Sequence, residues 1–480
     1  MYGVVGGGLA GLAATARLRE AGHEVRLFEA TNAVGGRARA VDTAGDPVER
    51  FPHYLSRGDD ALTSLAADHG LDDRIAWRRG RTARYRDGAV HPLDAPWERL
   101  AYPGTGLVDA ARARRLAQAV RNLDDADGGH DDDDDRDAGS DPRTDLDTTT
   151  VEAFVTDRAS RATYEGYVEP VLRAEFGDRA GDVSAAWLAE WLRSWEGHDR
   201  DGMAVGCVDG STARLADALV EAIGEEAVRT GSRVTGVDAS GVDRDHDRDG
   251  GDGDGIPMMV ETPTGRRVVD CEGVVVAAGP STLRDVTGVD PGVEAIPGTC
   301  ALVATDEPIV DAWRVTVEPG ALSTGEDAPF GTLFAHTNLL SPERYGGDHL
   351  TYLVGRGGSA EDADGAEDGG EETVRDRWLS ALEDLFPTFS SEEVRSFRVA
   401  RDPAAAVVAR PGERVPIDLG EAGLPGVAYA GPGSRLDRFG GSPGARIAAG
   451  VAAAEAVADV GAVADAETEV FGRGSGFEWG

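Results

Sequence analysis

Lysine is absent from this chain of 480 residues, so all 48 basic residues are arginine. Arginine stays protonated in proteins, so no side chain here offers the amine of a lysine base. Acidic residues number 87, and the formal net charge is −39. Such a charge argues against a nucleic-acid partner and disfavours anionic lipid surfaces, because both need a basic face. It favours a salt-adapted protein, whose acidic surface stays hydrated in concentrated salt.

Cysteine and long apolar runs are scarce too. Cys207, Cys271 and Cys300 are scattered and odd in number, so they predict neither a disulfide framework nor a metal site. No apolar run approaches the roughly 20 residues of a membrane helix, and we expect at most peripheral membrane contact. Met1 stands five residues before Gly6, which leaves no room for a signal peptide. These absences predict a soluble protein of the cytoplasm.

Glycine is abundant, and its placement near the start of the chain predicts a dinucleotide site. Gly6, Gly8 and Gly11 follow a predicted strand and open a predicted helix. The first permits a sharp turn, the second lets the backbone approach a pyrophosphate, and the third lets the helix pack against the strand. The helix begins at Leu9 and Ala10, and its N-terminus would face the phosphate charge.

An acid and a second glycine pair narrow the choice of dinucleotide. Glu29 ends the second predicted strand, 23 residues after Gly6. A carboxylate there can hydrogen-bond a ribose hydroxyl and repels a 2′-phosphate, which disfavours an NADP-type nucleotide. Gly35, Gly36 and Arg37 follow. A longer dinucleotide needs this second backbone segment without side chains, and a nearby cation can offset phosphate charge.

The run from Glu29 to Arg39 resembles the flavoprotein family of amine oxidases, protoporphyrinogen oxidases and phytoene desaturases. The resemblance implies FAD as the cofactor and extends over nearly the whole chain. It implies an α/β protein with a discontinuous, Rossmann-like FAD-binding domain and an inserted mixed α+β substrate domain. The FAD-binding domain is predicted at 1–55, 205–289 and 417–480, and the substrate domain at 56–204 and 290–416. Three acidic segments cannot bury apolar surface and are predicted to be disordered-like loops, at 124–150, 243–255 and 359–373.

Later parts of the chain complete the predicted cofactor site. Short strands are predicted at 229–237, 257–262, 267–271, 273–278 and 426–430, and an alanine-rich helix from about Pro443 to Val460. By resemblance, Val234 contacts the adenine through its backbone and Gly279 lies near the cofactor. Gly444 helps to place a helix N-terminus at the flavin ring, where its partial positive charge favours reduced flavin. Relatives often have an acid after the glycine at Gly431. This chain has proline there, which leaves Ser434 and Asp437 as candidate replacements.

Aromatic residues mark one helix of the predicted substrate domain. Helices are predicted at 62–71 and 183–195, and Trp187, Trp191 and Trp195 recur on one face of the second. They form either core packing or an aromatic wall for a flat or polyene substrate.

A second helix of this domain reverses the overall charge. The segment 107–123 carries Arg112, Arg114, Arg115 and Arg121 against one acid. It is either a solvated face paired with acids elsewhere or a surface helix near an entrance that touches a membrane or an anionic substrate.

The chemistry implied by FAD is removal of hydride from a substrate carbon. Many amine oxidases of the family place a lysine near the flavin, and its absence here disfavours an amine substrate. His53 and His336 are the candidate catalytic residues, with His349 as a further candidate. No Ser-His-Asp, zinc or phosphate-transfer pattern occurs.

We therefore predict an FAD-dependent oxidase or desaturase of a hydrophobic substrate, such as a porphyrinogen, a carotenoid or another isoprenoid. Oxygen or a quinone is the expected electron acceptor. The alternatives are an FAD amine oxidase, a flavin-dependent mutase of nucleotide sugars, and an isoprenoid-binding protein on the same scaffold.

Overall fold

The computed structural model describes residues 1–103, 106–125, 146–193, 201–239, 255–356, 370–439 and 443–458. The α-helices of these residues are α1 (Leu9–Glu20), α2 (Asp60–Asp68), α3 (Pro96–Ala101), α4 (Leu107–Asp125), α5 (Val151–Arg158), α6 (Arg161–Thr163), α7 (Glu169–Phe176), α8 (Ala186–Arg193), α9 (Ala213–Ile223), α10 (Pro280–Thr287), α11 (Gly370–Leu385) and α12 (Pro443–Ala458).

The strands of the first half are β1 (Tyr2–Val5), β2 (Val25–Phe28), β3 (Ala40–Val41), β4 (Val48–Glu49), β5 (Ile75–Gly80), β6 (Thr82–Arg86), β7 (Ala89–Pro92), β8 (Met203–Val208), β9 (Val228–Arg229) and β10 (Arg233–Val237). Those of the second half are β11 (Ile256–Thr262), β12 (Gly265–Cys271), β13 (Gly273–Val276), β14 (Glu294–Thr305), β15 (Arg314–Val317), β16 (Thr332–Ala335), β17 (His349–Arg356), β18 (Val394–Val408) and β19 (Val427–Tyr429).

A parallel five-stranded sheet, in the order β19-β13-β1-β2-β9, forms the first layer. Its central strands are continuous apolar runs because both faces are covered, as is usual for parallel sheets. Helices α1 and α12 pack so closely that a Cβ at Gly450 would overlap the carbonyl oxygen of Ala10. This arrangement is the predicted Rossmann-like fold, in which three distant parts of the chain form one sheet.

An antiparallel three-stranded sheet, β10-β11-β12, lies next in the chain. Strands β11 and β12 form the predicted hairpin, with Thr262 opposite Gly265. The single strand predicted at 229–237 is wrong in one respect, because the structure divides it. Gly231 has a φ of +59° there, and the chain leaves the parallel sheet after β9 and enters the small sheet at β10.

A mixed seven-stranded sheet, β18-β14-β17-β16-β15-β6-β7, carries the other half of the molecule. Helix α11 buries Trp378 and Leu382 in a core cluster on this sheet. Helices α4, α5, α7 and α8 form a separate apolar cluster with parts of β14 and β18. Strand β8 pairs along its whole length with β5 and crosses the predicted domain boundary between 204 and 205. The division into domains otherwise stays a prediction.

Helix bounds differ from the predicted ones by a few residues. Helix α2 begins at Asp60, two residues early, because the Asp59 carboxylate caps it by accepting a hydrogen bond from the Leu62 N–H at 3.3 Å. Helix α8 begins three residues later than predicted, at Ala186. Trp195, residues 459–480 and most of the three acidic segments (126–145, 243–254 and 359–369) lie outside the described residues.

Candidate functional site

The first glycine turn has the geometry of a phosphate-binding loop. Gly6 has a φ of +104°, and its N–H donates to the carbonyl oxygen of Phe28 at 2.9 Å. A Cβ at Gly11 would overlap the carbonyl oxygen of Gly6, so only glycine allows this helix to pack on this turn. A Cβ at Gly8 would meet nothing within 4 Å. The space over Gly8, at the N-terminus of α1, is therefore open to a ligand.

Leu9 and Ala10 form the first turn of α1. Both are buried in the core of the parallel sheet. We therefore expect them to contribute to cofactor binding through the backbone at the helix N-terminus, not through their side chains.

Glu29 is held rigidly beside this turn. Its carboxylate accepts a hydrogen bond from the Gly7 N–H at 2.8 Å through one oxygen. The other oxygen accepts from the Thr31 N–H at 2.8 Å and from the Thr31 hydroxyl at 2.7 Å. A carboxylate oxygen has a second lone pair for a further donor. The arrangement thus fits the predicted hydrogen bond to a ribose hydroxyl.

The second glycine pair lies against the first turn. The Gly35 N–H donates to the carbonyl oxygen of Gly7 at 2.7 Å. Gly35 and Gly36 have φ values of +102° and +54°, and a Cβ at Gly36 would lie 3.2 Å from the Cα of Gly8. Both segments therefore border the same space, which is closed at Gly36 and open over Gly8. This is the cradle that an extended dinucleotide requires.

Arg37 pairs with groups of the seven-stranded sheet. Its guanidinium pairs with the Asp402 carboxylate and donates to the carbonyl oxygen of Ala404, both on β18. Burial opposes ionisation of Asp402, but the Arg37 charge and the Ala404 N–H outweigh it and lower the pKa of that carboxyl. Arg37 thus joins the cofactor segment to the seven-stranded sheet, and its role in offsetting phosphate charge stays a prediction.

The remaining predicted cofactor residues lie at strand ends around the parallel sheet. Val234 lies on β10, an edge strand of the small sheet. Gly279 precedes α10 after the end of β13. A Cβ at Gly431 would overlap the carbonyl oxygen of Ala278, so that glycine closes the β19 turn against β13. Asp437, one candidate for the ribityl contact, lies 3.7 Å from Arg446 and is buried.

Asp59 lies at the N-terminus of α12, a position that the sequence reasoning missed. Its carboxylate accepts a hydrogen bond from the Gly444 N–H at 3.2 Å. A Cβ at Gly444 would overlap this carboxylate. The resemblance puts the flavin ring at this helix end, where partial positive charge favours electron-rich groups. The Asp59 carboxylate therefore lies where the partial positive charge of the helix N-terminus favours negative charge. The only sequence signal for Asp59 was its position as the N-cap residue of α2.

A cavity of about 550 Å³, which we name the inner cavity, opens beside Gly444. Its lining combines cofactor-site residues, aromatic side chains and charges, among them Arg37, His53, Tyr54, Trp187, Trp191, Trp313, Phe334, Asp402 and Arg446. Trp187 and Trp191 stack with ring centroids 5.4 Å apart and planes 11° apart. Trp187 also belongs to the helical core cluster. Core packing therefore applies to Trp187, whereas the aromatic wall for a substrate stays a prediction.

His53 faces the inner cavity, as the sequence suggested. Its Nδ1 lies 2.8 Å from the carbonyl oxygen of Phe51, and its Nε2 lies 3.4 Å from Nη1 of Arg446. Burial, and then the Arg446 charge, lowers the pKa of His53 to about 3. The ring is neutral at physiological pH, so Nδ1 donates and Nε2 accepts. His53 can orient Arg446 but holds no spare proton.

His336 does not line the inner cavity. Its Nδ1 lies 3.2 Å from the Tyr54 hydroxyl and its Nε2 lies 2.8 Å from the Tyr345 hydroxyl. Burial lowers its pKa to about 4. Tyr54, which the sequence analysis missed, lines the inner cavity and connects it to this buried pair. His336 can therefore act only through Tyr54. His349 begins β17 and lines neither cavity described here.

A larger cavity of about 1160 Å³, the outer cavity, adjoins the inner one. Leu100 of α3 and Leu107 of α4 line it and are 52% and 68% exposed, so it opens to the surface between these helices. The two cavities share lining residues Val171, Trp191 and Arg314. These three residues form the junction between the two cavities.

Helix α4 forms part of the entrance. Arg114 and Arg115 line the outer cavity, whereas Arg112 lies 3.4 Å from Asp109 on the solvated side. Arg112 thus belongs to a solvated face and Arg114 and Arg115 border the outer cavity, whereas contact with a membrane or an anionic substrate stays a prediction. The side chain of Arg121 lies outside the described part.

Two properties limit the classes of site in the described ranges. They contain no helix that is long and apolar enough to cross a bilayer. They also contain no group of three or more histidine, cysteine or acidic side chains placed to hold a metal ion.

Comparison with known proteins identifies the family. The chain matches the family described as flavin containing amine oxidoreductase over residues 9–458. It is 27% identical over 276 residues to a Mycobacterium tuberculosis protein named as flavin-containing monoamine oxidase AofH, covering 55% of this chain and 57% of that protein. It is 28% identical over 294 residues to a coproporphyrinogen III oxidase of Mycobacterium bovis, covering 56% and 60%.

The match spans little more than half of either relative, and their activities differ. A solved structure from Exiguobacterium sp., described as a protoporphyrinogen oxidase, covers 95% of this chain and 98% of its own with a TM-score of 0.67 and 16% identity. That likeness shows the fold, an FAD-binding domain with a substrate domain, as predicted. The chain belongs to the family of flavin-containing amine oxidoreductases, with FAD as its cofactor.

Proposed function

We propose that this FAD-dependent oxidoreductase removes hydride from a carbon of a hydrophobic substrate, of the porphyrinogen, carotenoid or other isoprenoid type. The observation that carries this proposal is the pair of adjoining cavities between the surface and the cofactor end. The outer cavity, of about 1160 Å³, suits a large molecule, and the inner one, which borders the proposed flavin position at Gly444, has an aromatic lining. Bound FAD would supply the hydride acceptor, and oxygen or a quinone would then take the electrons.

The cofactor is proposed to lie along the two glycine segments. Gly6, Gly8 and Gly11 with the N-terminus of α1 would hold the pyrophosphate, Glu29 the ribose, and Val234 the adenine. Gly35 and Gly36 would lie along the dinucleotide, Gly279 and Gly431 near it, and Gly444 at the ring. The open space over Gly8 and the close approach of Gly36 to Gly8 support this placement.

The protein's own side chains have three tasks in this proposal. Trp187 and Trp191 orient a flat or conjugated substrate by stacking. The buried lining excludes water. Tyr54 lines the inner cavity, and its hydroxyl is held 3.2 Å from Nδ1 of the neutral His336, so its ring is fixed as part of the substrate wall.

An amine oxidase is the second candidate. Glu190 lines the inner cavity and is a carboxylate that an ammonium group could approach. The chain is also similar to a protein named as a monoamine oxidase. The absence of lysine weighs against this candidate.

Anaerobic mixing with candidate substrates distinguishes the oxidase of a hydrophobic substrate from the amine oxidase. The purified, flavin-loaded protein is mixed without air with porphyrinogens, polyenes, and primary and secondary amines, and flavin absorbance is followed. We expect bleaching by a hydrophobic carbon donor. Bleaching by amines alone would favour the amine oxidase, and conversion of a UDP-sugar only when the flavin is already reduced would favour a mutase. Salt adaptation and a cytoplasmic location stay predictions from composition.

A further inference from the structure

Arg314 occupies the junction of the two cavities. It begins β15, between Thr82 of β6 and Phe334 of β16. Its guanidinium lies 5.6 Å from the ring centroid of Phe334, and its Nε is buried. None of its nitrogens forms a side-chain hydrogen bond or an ion pair within the part of the chain that the structure describes.

The neighbouring acid does not neutralise this arginine. Glu175 also lines the inner cavity, but its carboxylate accepts from Arg356 at 3.1 Å. Burial lowers the pKa of Arg314, and the attraction of Glu175 only partly opposes this effect. The Nε of Arg314 is buried without a hydrogen-bond acceptor, which is costly, and an anion placed against the guanidinium would reduce that cost.

The outer cavity has the same excess of positive charge. Arg84 and Arg99 line it and donate to backbone carbonyl oxygens, and Arg84 also lies 3.8 Å from the Glu318 carboxylate. Arg114 and Arg115 line it too and have no acidic partner among the described residues. Asp94 is the acidic residue of this lining, and it is held by Arg81 and Thr82. Such a surplus of arginine stands out in a chain of net charge −39.

We infer that Arg314 binds a carboxylate of the substrate, which is therefore a hydrophobic molecule that carries at least one carboxylate. The reacting carbon lies in the inner cavity, the carboxylate lies at the junction, and the rest of the molecule fills the outer cavity toward Arg114 and Arg115. This inference rests on the proposed function for the direction of the substrate. It separates carboxylated substrates from neutral polyenes and from amines, since an ammonium group would be repelled at the junction.

The guanidinium geometry favours this ligand. A carboxylate accepts two parallel hydrogen bonds from an arginine fork, and the low-dielectric surroundings strengthen them. Val171 and Trp191, which share the junction, provide apolar walls beside the charge. An inorganic anion would gain the charge contact without the apolar contacts, so we expect it to bind far more weakly.

The test measures binding and needs no turnover. The flavin-loaded protein is titrated, in one dilute detergent, with coproporphyrin III and its tetramethyl ester, and with all-trans retinoic acid and its methyl ester. Quenching of tryptophan fluorescence reports binding. We expect at least one acid to bind about tenfold or more tighter than its ester, and Arg314→Gln to abolish that difference. Arg314→Lys should restore part of it.

Arg112→Gln is the matched control, because Arg112 lies on α4 outside both linings. It should leave the acid-to-ester ratio unchanged. Flavin content and the flavin spectrum show whether each variant has folded. If Arg314→Gln does not fold, Arg314→Met replaces it in the test. Equal binding of acid and ester, an unchanged ratio in folded Arg314 variants, or no binding of either acid would overturn the inference. Flavin reduction by a neutral polyene would overturn it too but leave the proposed function intact.

Discussion

The inner and outer cavities differ in how their charges are used. In the inner cavity, away from its junction with the outer cavity at Arg314, arginines meet acids: Arg37 pairs with Asp402, and Arg356 with Glu175. In the outer cavity Arg114 and Arg115 have no acidic partner among the described residues. Paired charges hold segments of the fold together, whereas an arginine without an acid beside it can attract an anionic ligand. We therefore propose that the paired arginines serve the fold and that those of the outer cavity serve substrate binding.

The largest effect is expected at the cofactor turn. Gly8→Leu should abolish FAD retention while the protein still folds, because the new side chain enters the open space over the turn and meets no protein atom near its Cβ. Flavin absorbance per protein and a circular dichroism spectrum measure the two properties. Gly181→Leu, on an exposed turn with equal room, is the control and should stay yellow. A yellow Gly8→Leu protein would mean that the cofactor lies elsewhere.

Breaking a pair in the inner cavity should lower stability. Arg37 and Asp402 have side chains that are 18% and 14% exposed. Arg37→Met leaves a carboxylate largely buried without its cation, which should lower the free energy of unfolding by about 3 kcal/mol. Denaturant titration measures this free energy of unfolding. The double variant Arg37→Met with Asp402→Leu should recover part of the loss. Equal stability of wild type and Arg37→Met would contradict a structural role for the pair.

The buried His336 predicts a pH dependence. Its folded pKa is about 4, below the ordinary value of 6.5, so the unfolded chain binds more protons between these values. Stability therefore falls as pH drops from 6.5 to 4, by about 3 kcal/mol from this residue. His336→Gln should lose less stability across that window than wild type. Glu49, with a pKa raised by burial to about 7, acts in the opposite direction but equally in both proteins. Parallel stability curves would show that His336 does not titrate in this way.

The smallest effect is expected at the rim of the outer cavity. Arg114 and Arg115 are exposed, so Arg114→Gln or Arg115→Gln should weaken binding of a carboxylate probe only about two- to fivefold. The loss should disappear in molar salt, which screens exposed charges, whereas the loss at Arg314 should persist. Fluorescence titration at two salt concentrations measures both. A salt-resistant loss at Arg114 would instead place the carboxylate at the rim.

Sequence reasoning predicted the glycine turns and the parallel sheet of the cofactor half well because their requirements are local, whereas the contacts to the cofactor stay predictions. Gly6, Gly11, Gly35 and Gly36 are needed by backbone geometry that a short motif encodes. Glu29 lies at a fixed distance along the chain from Gly6. The parallel strands are apolar runs, recognisable without knowledge of their partners.

The substrate half was less predictable because its site depends on contacts between distant segments. Arg314 stands in an otherwise apolar strand, and nothing nearby indicates that it borders two cavities. Asp59 meets Gly444 across 385 positions, and Tyr54 meets His336 across 282. Arg37 finds its partner on β18 for the same reason. Such contacts follow from the fold as a whole.

Anaerobic reduction of the bound flavin tests the central claim most directly. The flavin-loaded protein is mixed without air with coproporphyrinogen III, with its tetramethyl ester, with a neutral polyene and with a primary amine. The account predicts that the carboxylated porphyrinogen bleaches the flavin and that its ester does so more slowly. Bleaching by the amine alone, with no response to any hydrophobic carbon donor, would contradict it.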